Sequence, residues 1–311
     1  MISCTEFIPA YSELFTFLDE NYGRQEVDCF WEYLFTPDGA GIPLINHLEK
    51  EGIRGCYTYW SGSLNEEAAD FSMYLNEKDG WFKIKMHRCP SKGRLLELKD
   101  TIGIEPYPDY CLHCDHYRES VEKVGLEYIY DFCGTDKASC SILVYDPKKF
   151  PKKLIVDKDT LQMHRNAADN EYFHKDFHSS LNSGIDYLGE KYGEEVLIDY
   201  LQKFTNNVYK NVIADVKKRG IEAIKEKIVD TYKKEKSVEV LHITEDANKT
   251  IFEIDYCPAV KHLNDTGRKV TPWFEYSTTV VMEVFAKYAG LKFQMEYYDE
   301  LTGKAKYSFS K

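Results

Sequence analysis

Residues 71–90, FSMYLNEKDGWFKIKMHRCP, and residues 239–258, EVLHITEDANKTIFEIDYCP, align with each other without a gap. Each segment predicts a β-hairpin, because apolar residues alternate on both sides of a polar turn, EKDG in one and EDAN in the other. Both end in Cys-Pro, and proline suits the first turn of a helix, where no partner exists for an N–H. The same hairpin and helix start are therefore expected twice in the chain.

The similarity between the two segments extends in both directions. Upstream, residues 12–34 resemble residues 182–204 through a shared Tyr-Gly, and downstream TDKASCSIL resembles TGKAKYSFS. This pattern predicts a tandem duplication of a unit of roughly 150 residues. We expect an α+β fold of two repeats, each with helices followed by an antiparallel sheet, packed about a pseudo-twofold axis. The predicted boundaries are 1–145 for repeat 1, 146–172 for a linker with a strand-like KKLIVD, and 173–311 for repeat 2.

The composition of the chain restricts the classes of partner. A net charge of −12 disfavours nucleic acids and anionic membranes, which require clustered Lys and Arg. The start, MISCTEFIPAYSELF, has no basic signal-like region, and no window approaches the roughly 20 apolar residues of a membrane span. Nine cysteines, an odd number, favour reduced thiols over a disulfide framework. We expect a cytoplasmic protein that binds a small molecule, and the pattern leaves open whether it forms a homodimer.

Asymmetry between the repeats indicates where chemistry takes place. Cys89 and Cys257 occupy equivalent positions before proline, so we expect both to have an architectural role as buried thiols. In contrast, Cys111, Cys114 and Asp115 align near aromatic and β-branched residues of the second repeat. A feature present in one copy only is the better candidate for a function.

The segment CLHCDH, residues 111–116, has three interpretations. The C-x-x-C spacing can supply two thiolates to a zinc ion, with His113, His116 or Cys89 completing the shell. Alternatively, one thiol is a nucleophile, because a position near a helix start lowers a thiol pKa and a nearby imidazole can accept the proton. In the third interpretation the cysteines only pack a helix, predicted at about 109–124, against the sheet.

The segment EYFHKDFHSS is the second candidate. His174 and His178 are four residues apart, which predicts that both project from one face of a long helix. Such a pair can bind a metal or provide a base with an orienting partner. The Glu of an HExxH motif is missing, so a metalloprotease is excluded. Histidines that only cap a helix or cross the repeat interface are the structural alternative.

The order HRCP, YPDYCLHCDHY and GTDKASCSILV resembles the L-2-amino-thiazoline-4-carboxylic acid hydrolase-like family. The resemblance covers about 60 residues of repeat 1 and places Cys89-Pro90, Cys114-Asp115 and Cys140 at the family's motif positions. The cysteine-rich end is also similar to the vinyl-reductase type of ligand-binding module, an α+β unit. The chain departs from the family pattern at Thr135, at the additional Cys111, and in its second repeat.

The resemblance implies a hydrolase that opens a C–N bond in a small cyclic amidine or amide, such as a thiazoline, without a nucleotide. Cys114 or Cys111 would attack the ring carbon, His174 or His178 would move protons, and Asp115 would orient the imidazole. Expected substrate-binding residues are Cys89, Tyr110, His116, Tyr172 and Cys257. No cofactor is required, although a zinc-dependent hydrolase with Cys111, Cys114, His174 and His178 as ligands is an alternative. A non-catalytic small-molecule-binding protein is another.

Overall fold

The computed structural model describes residues 1–35, 43–169, 171–246 and 248–311. In these residues it is an α+β protein with twelve α-helices and two antiparallel sheets. The chain forms two compact units: a central unit, Leu18–His174, and a terminal unit, which combines Met1–Phe17 with Lys175–Lys311. None of the helices in the described ranges is long and apolar enough to cross a bilayer.

The central unit holds the first of the two predicted hairpins. Its helices are α1 (Phe7–Tyr22, which begins in the terminal unit), α2 (Arg24–Phe35), α3 (Leu44–Glu51), α4 (Arg54–Glu66), α5 (Pro90–Ile102) and α6 (Tyr117–Lys123). Its strands are β1 (Asp70–Asn76), β2 (Trp81–Arg88), β3 (Glu127–Asp131), β4 (Cys140–Tyr145) and β5 (Leu161–Arg165). Three short 3₁₀-helices cover Tyr110–His116, Thr135–Lys137 and Ala167–Asp169.

The central sheet has the order β3-β4-β2-β1-β5. The β1–β2 hairpin confirms the prediction, and its apolar positions Phe71, Met73, Phe82 and Ile84 are buried in the core. The predicted linker is wrong in one respect: no strand forms at KKLIVD, whereas β5 pairs antiparallel with β1. This pairing covers the backbone groups that β1 would otherwise expose as an edge strand.

The terminal unit holds the second hairpin. Its helices are α7 (Phe177–Tyr192), α8 (Glu194–Val208), α9 (Lys210–Arg219), α10 (Ile221–Lys234), α11 (Pro258–Asp265) and α12 (Tyr276–Ala289). Its strands are β6 (Leu241–Glu245), β7 (Lys249–Ile254), β8 (Lys292–Tyr298) and β9 (Ala305–Ser310). The terminal sheet has the order β6-β7-β9-β8, with two 3₁₀-helices at Cys4–Glu6 and Val238–Val240.

The two sheets share a strand order. Read from the opposite edge, the terminal sheet is β8-β9-β7-β6, which corresponds strand for strand to β3-β4-β2-β1 of the central sheet. The Cys-Pro positions also correspond, because Cys89 and Cys257 both have extended backbone and the following prolines begin α5 and α11. The N–H of Cys89 donates to the carbonyl of Ala138 at 2.6 Å, and that of Cys257 donates to Thr302 at 3.0 Å. Each sheet therefore fixes its cysteine through the loop before one strand, β4 in the central unit and β9 in the terminal unit.

The compact units do not follow the predicted repeat boundaries at the start of the chain. Residues 1–17 belong with the terminal unit because polar side chains of its helices bind them. The Tyr200 hydroxyl donates to the carbonyl of Ala10, and the Tyr209 hydroxyl donates to Glu6. Glu6 also pairs with Lys227 at 2.5 Å. These contacts join residues between 190 and 221 positions apart in sequence, which a comparison of repeats does not reveal.

Candidate functional site

Four cysteines of the central unit meet at one end of its sheet, and we call them the thiol cluster: Cys89, Cys111, Cys114 and Cys140. Every pair among the four is close enough for one sulfur to raise the pKa of another. All four are half-buried, and all nine cysteines of the chain are free thiols. Residues that are separated by up to 51 positions in sequence are thus collected by the fold.

The secondary structure explains why the thiol cluster forms. Cys140 begins β4 and pairs with Met86 of β2, three residues before Cys89. Cys111 and Cys114 lie on the 3₁₀-helix Tyr110–His116, in which side chains three residues apart eclipse one another. The hydroxyl of Tyr128 donates to the carbonyl of Cys114 at 2.8 Å and ties this helix to β3. The two thiols therefore project together over the end of the sheet.

The predicted α-helix over residues 109–124 is replaced by this 3₁₀-helix and by α6. An α-helix would require the carbonyl of Tyr110 to accept from the N–H four residues later. In the structure, Nδ1 of His113 donates to that carbonyl instead. A side chain that competes for a backbone acceptor disfavours the regular helix at this point.

His113 also contacts the thiol cluster. Its Nε2 lies 3.4 Å from Sγ of Cys114, and because Nδ1 donates to a carbonyl, Nε2 carries the lone pair that accepts from this thiol. Burial lowers the pKa of His113 to about 4 and raises the pKa of Cys114 well above its ordinary value. The pair is therefore a neutral hydrogen bond and not a thiolate beside an imidazolium.

The expectation that a helix start lowers a thiol pKa is wrong for both cysteines of CLHCDH. Burial raises the pKa of Cys111, although the ammonium of Lys92 acts in the opposite direction. Burial also raises the pKa of Cys140 to about 11, against a hydrogen bond from Tyr130. Loss of hydration disfavours a thiolate more than the short helix favours it. At Cys111 the neighbouring ammonium of Lys92 offsets part of this effect.

A cavity of about 380 Å³ opens beside the thiol cluster. Cys111 lies in its wall, together with Lys92, Pro108, Asp109, Leu112, Phe132, Thr135 and Asp136. The wall thus combines one thiol, an ammonium group, two carboxylates and apolar side chains. Asp109 is already paired with Arg24. The volume suits a small molecule, and the charges suit one with polar groups of both signs.

Glu67 is a titratable residue near the cluster that the sequence did not identify. Its side chain is buried, with 8% exposure, and burial raises its pKa to about 7. Its carboxyl lies 3.9 Å from Nε2 of His174 and is near enough to Cys89 to raise the pKa of that thiol. A carboxyl that titrates near neutral pH in such a place is a candidate proton carrier. Its only signal in sequence is EE at the end of a helical segment.

The prediction that the two histidines of EYFHKDFHSS share a helix face is wrong. Helix α7 begins at Phe177, so His174 precedes it, and the N–H of Phe173 donates to the carbonyl of Glu66 at 2.8 Å. His174 belongs to the central unit, where its Nδ1 lies 2.8 Å from Glu66. His178 belongs to the terminal unit. The hydrogen bond from the N–H of Phe173 to Glu66 holds the chain before α7 in a non-helical conformation.

His178 forms part of a buried group with Cys4 and Glu235. Nε2 of His178 lies 3.0 Å from Glu235, whose other oxygen accepts from the N–H of Cys4 at 2.7 Å. Although burial favours the neutral acid, the hydrogen bonds of His178 and Cys4 lower the pKa of Glu235 to about 2. Within the described ranges, this is the only group of three ligand-type atoms all within 4.8 Å of one another. The predicted zinc set of Cys111, Cys114, His174 and His178 is therefore not assembled.

The other predicted site residues have distinct surroundings. Asp115, expected to orient an imidazole, pairs with Arg118 at 2.7 Å. His116 packs against the rings of Trp31 and Phe35. The remaining three are Tyr110, which is fully buried, Tyr172, whose ring lies under the guanidinium of Arg94, and Cys257, whose Sγ lies 3.2 Å from Sδ of Met1 in the terminal unit. Of the predicted residues, the structure groups Cys89, Cys111 and Cys114, together with Cys140, which the resemblance named.

No protein-family model, curated protein or solved structure matches this chain. The function is therefore inferred from the thiol cluster and its cavity.

Proposed function

We propose that the chain is a hydrolase that opens a C–N bond in a small cyclic amidine or amide, and that the cavity beside Cys111 is its active site. One observation carries this proposal: Cys111 is the cluster thiol in the cavity wall, and Lys92 lies beside it. We also propose that the chain arose by tandem duplication, which the shared strand order supports. The nine free cysteines favour the reducing cytoplasm as its location.

In the proposed reaction, the thiolate of Cys111 adds to the electrophilic ring carbon and forms a C–S bond. The electron pair of the ring C–N bond then passes to the nitrogen, which takes a proton as it leaves the carbon. Water hydrolyses the resulting thioester or thioimidate and returns the thiol. The ammonium of Lys92 favours the thiolate and the negative charge of the tetrahedral intermediate. The carboxylate of Asp136 can bind the N–H of a cationic ring.

Proton transfer is assigned differently from the expectation based on the sequence. His174 and His178 are each held by a glutamate, and they lie in different units. Glu67, with a pKa of about 7, can accept and return a proton near neutral pH. It is therefore the residue that we propose as the proton carrier behind the thiol cluster.

The test compares single variants on a panel of thiazolines, imidazolines and lactams. Cys111→Ser should lower kcat/KM by at least about 1000-fold, because a serine hydroxyl is a poor replacement for a thiolate. The matched control is Cys133→Ser, since Cys133 is exposed and lies outside the cluster. Full turnover by the Cys111→Ser variant would contradict the role of Cys111 as the nucleophile. If the unaltered protein turned over none of the compounds, the assignment as a hydrolase would be refuted.

A second candidate is a small-molecule-binding protein without catalysis. The raised pKa values of Cys111, Cys114 and Cys140 favour it, because a protonated thiol is a weak nucleophile. Calorimetry with the same panel separates the candidates. A ligand that binds in the cavity and is recovered intact would favour binding alone, whereas ring opening would favour the enzyme.

A further inference from the structure

The buried residues Cys4, His178 and Glu235, which we call the terminal ligand group, all belong to the terminal unit. A thiol sulfur, an imidazole nitrogen and a carboxylate oxygen of this group lie within 4.8 Å of one another. These are the three kinds of donor that zinc uses in proteins, and around one ion they lie about 3.3–3.6 Å apart. No separation therefore has to shorten by more than about 1.3 Å. Divided between two side chains, this is a rotation of about 25° for a cysteine sulfur, which stays within one rotamer well.

The fold brings these residues together from distant parts of the sequence. Cys4 begins a 3₁₀-helix, His178 lies in the first turn of α7, and Glu235 directly follows α10. The N–H of Cys4 donates to one oxygen of Glu235 at 2.7 Å, and Nε2 of His178 lies 3.0 Å from the other oxygen. Each of the three residues is only 1% exposed. The two hydrogen bonds thus hold the carboxylate between the other two ligands.

The charges of the three side chains favour a divalent cation. Burial of a carboxylate is unfavourable unless a cation or hydrogen-bond donors compensate for the lost hydration. An ion with two positive charges, bound by the thiolate of Cys4, the carboxylate of Glu235 and the neutral imidazole of His178, forms a site without net charge. Because a buried net charge is costly, this ligand set suits Zn²⁺ better than a monovalent or trivalent ion.

His178 can adopt the tautomer that zinc requires. In the contact with Glu235 its Nε2 carries the hydrogen, whereas a nitrogen that binds zinc must provide its lone pair. The hydrogen then belongs on Nδ1, which is buried and has no hydrogen-bond partner among the residues that the structure describes. Since most buried polar atoms have a partner, the bare Nδ1 indicates that the protein alone does not complete the surroundings of this ring.

We propose that Cys4, His178 and Glu235 bind one zinc ion, which fastens residues 4–6 to α7 and α10. On binding, the thiol proton of Cys4 passes to solvent and the ring hydrogen of His178 moves from Nε2 to Nδ1. A water molecule completes the tetrahedral shell beside the hydroxyl of Ser3, which hydrogen-bonds both Cys4 and Glu235. Because the ligands are buried, zinc binds as residues 1–17 pack against the rest of the terminal unit, and it stabilises the fold without contact with a substrate. The site is independent of the proposed hydrolase.

The first measurement is X-ray absorption at the zinc edge on the whole chain, purified under reducing conditions and loaded with a single equivalent of zinc. We expect one sulfur neighbour at about 2.3 Å and about three nitrogen or oxygen neighbours at about 2.0 Å. A shell with two or more sulfur atoms would overturn the site, because Cys4 supplies its only sulfur. A protein that takes up no zinc would overturn it as well.

Single variants test the ligands. Cys4→Ser and Glu235→Gln should each lower zinc affinity by at least about 100-fold, as measured by competition with a chromophoric chelator. The matched control is Cys257→Ser, since Cys257 is another buried cysteine of the terminal unit but lies outside the ligand group. This control should keep its full affinity for zinc. Unchanged affinity in both ligand variants would overturn the assignment.

A further measurement needs no variant and therefore does not depend on the folding of one. Residues 1–17 contain several aromatic residues and no Lys or Arg, so chymotrypsin is a suitable protease for this segment. Zinc should slow cleavage within residues 1–17 of the unaltered protein by at least about tenfold relative to protein with a chelator, because a bound ion lowers the population of locally opened states. Equal cleavage rates would show that no zinc ion fastens this segment.

Discussion

Glu67 offers a prediction whose size follows from its surroundings. Burial raises the pKa of its carboxyl from 4.5 to about 7, even though His174 lies 3.9 Å away. The folded protein therefore retains a proton that the unfolded chain loses above about pH 4.5. The unfolded state binds fewer protons between these values, so stability falls as the pH rises from 4.5 to 7. The full loss is about 3 kcal/mol, of which about 2.5 kcal/mol falls between pH 5 and pH 8.

Glu67→Gln removes this titration. Between pH 5 and pH 8 the unaltered protein should lose about 2.5 kcal/mol of unfolding free energy that the variant does not lose. The assay is urea unfolding at several pH values, followed by tryptophan fluorescence, because three of the four tryptophans lie in the central unit. Glu66→Gln is the control, since the Glu66 side chain is 56% exposed and should leave most of the slope unchanged. Equal pH dependence in the Glu67 variant and the unaltered protein would refute the assignment.

Two more predictions concern the terminal unit. Glu235 has a folded pKa of about 2, below its ordinary 4.5, so its contribution is complete above about pH 4.5 and is lost as the pH falls toward 2. Glu235→Gln should therefore remove about 3 kcal/mol of acid dependence, as measured by chemical unfolding between pH 5 and pH 2; an unchanged acid limb would contradict this. Gly303→Ala should destabilise the unit by at least about 2 kcal/mol, because its φ is +66° and a new Cβ would lie 2.3 Å from Cβ of Cys257. Gly267→Ala is the control, because Gly267 has a similar φ of +71° but open space around its Cα. If thermal unfolding showed equal losses of stability in the two variants, the contact with Cys257 would be unimportant.

Much of the fold could be predicted from local sequence. The hairpins, the helix starts after Cys-Pro, and the break between α1 and α2 at Gly23 all depend on residues close together in the chain. Alternating apolar residues and proline act over a few positions, and two similar segments confirm each other. The second partner of β1, on the side away from β2, could not be predicted, because β5 lies about 90 residues away in the sequence.

The candidate site was predicted only in part. CLHCDH marked the correct segment because cysteines are rare and closely spaced there. The resemblance named Cys140, whose place in the cluster depends on strand register. The contribution of Lys92 depends on how α5 packs and has no local signature. The helix expected at His174 failed for a tertiary reason, since the backbone of Phe173 binds Glu66. Spacing can predict a shared helix face only where the helix itself forms.

The arrangement of the two units affects how the chain can fold during synthesis. The central unit is one continuous segment, Leu18–His174, so all of its sheet has left the ribosome while the later residues are still being added. The first 17 residues, in contrast, must wait for partners such as Tyr200 and Lys227. A chain truncated after residue 174 and released from the ribosome should therefore already protect β2 and β4 from proteolysis, while its first 17 residues stay accessible to a protease.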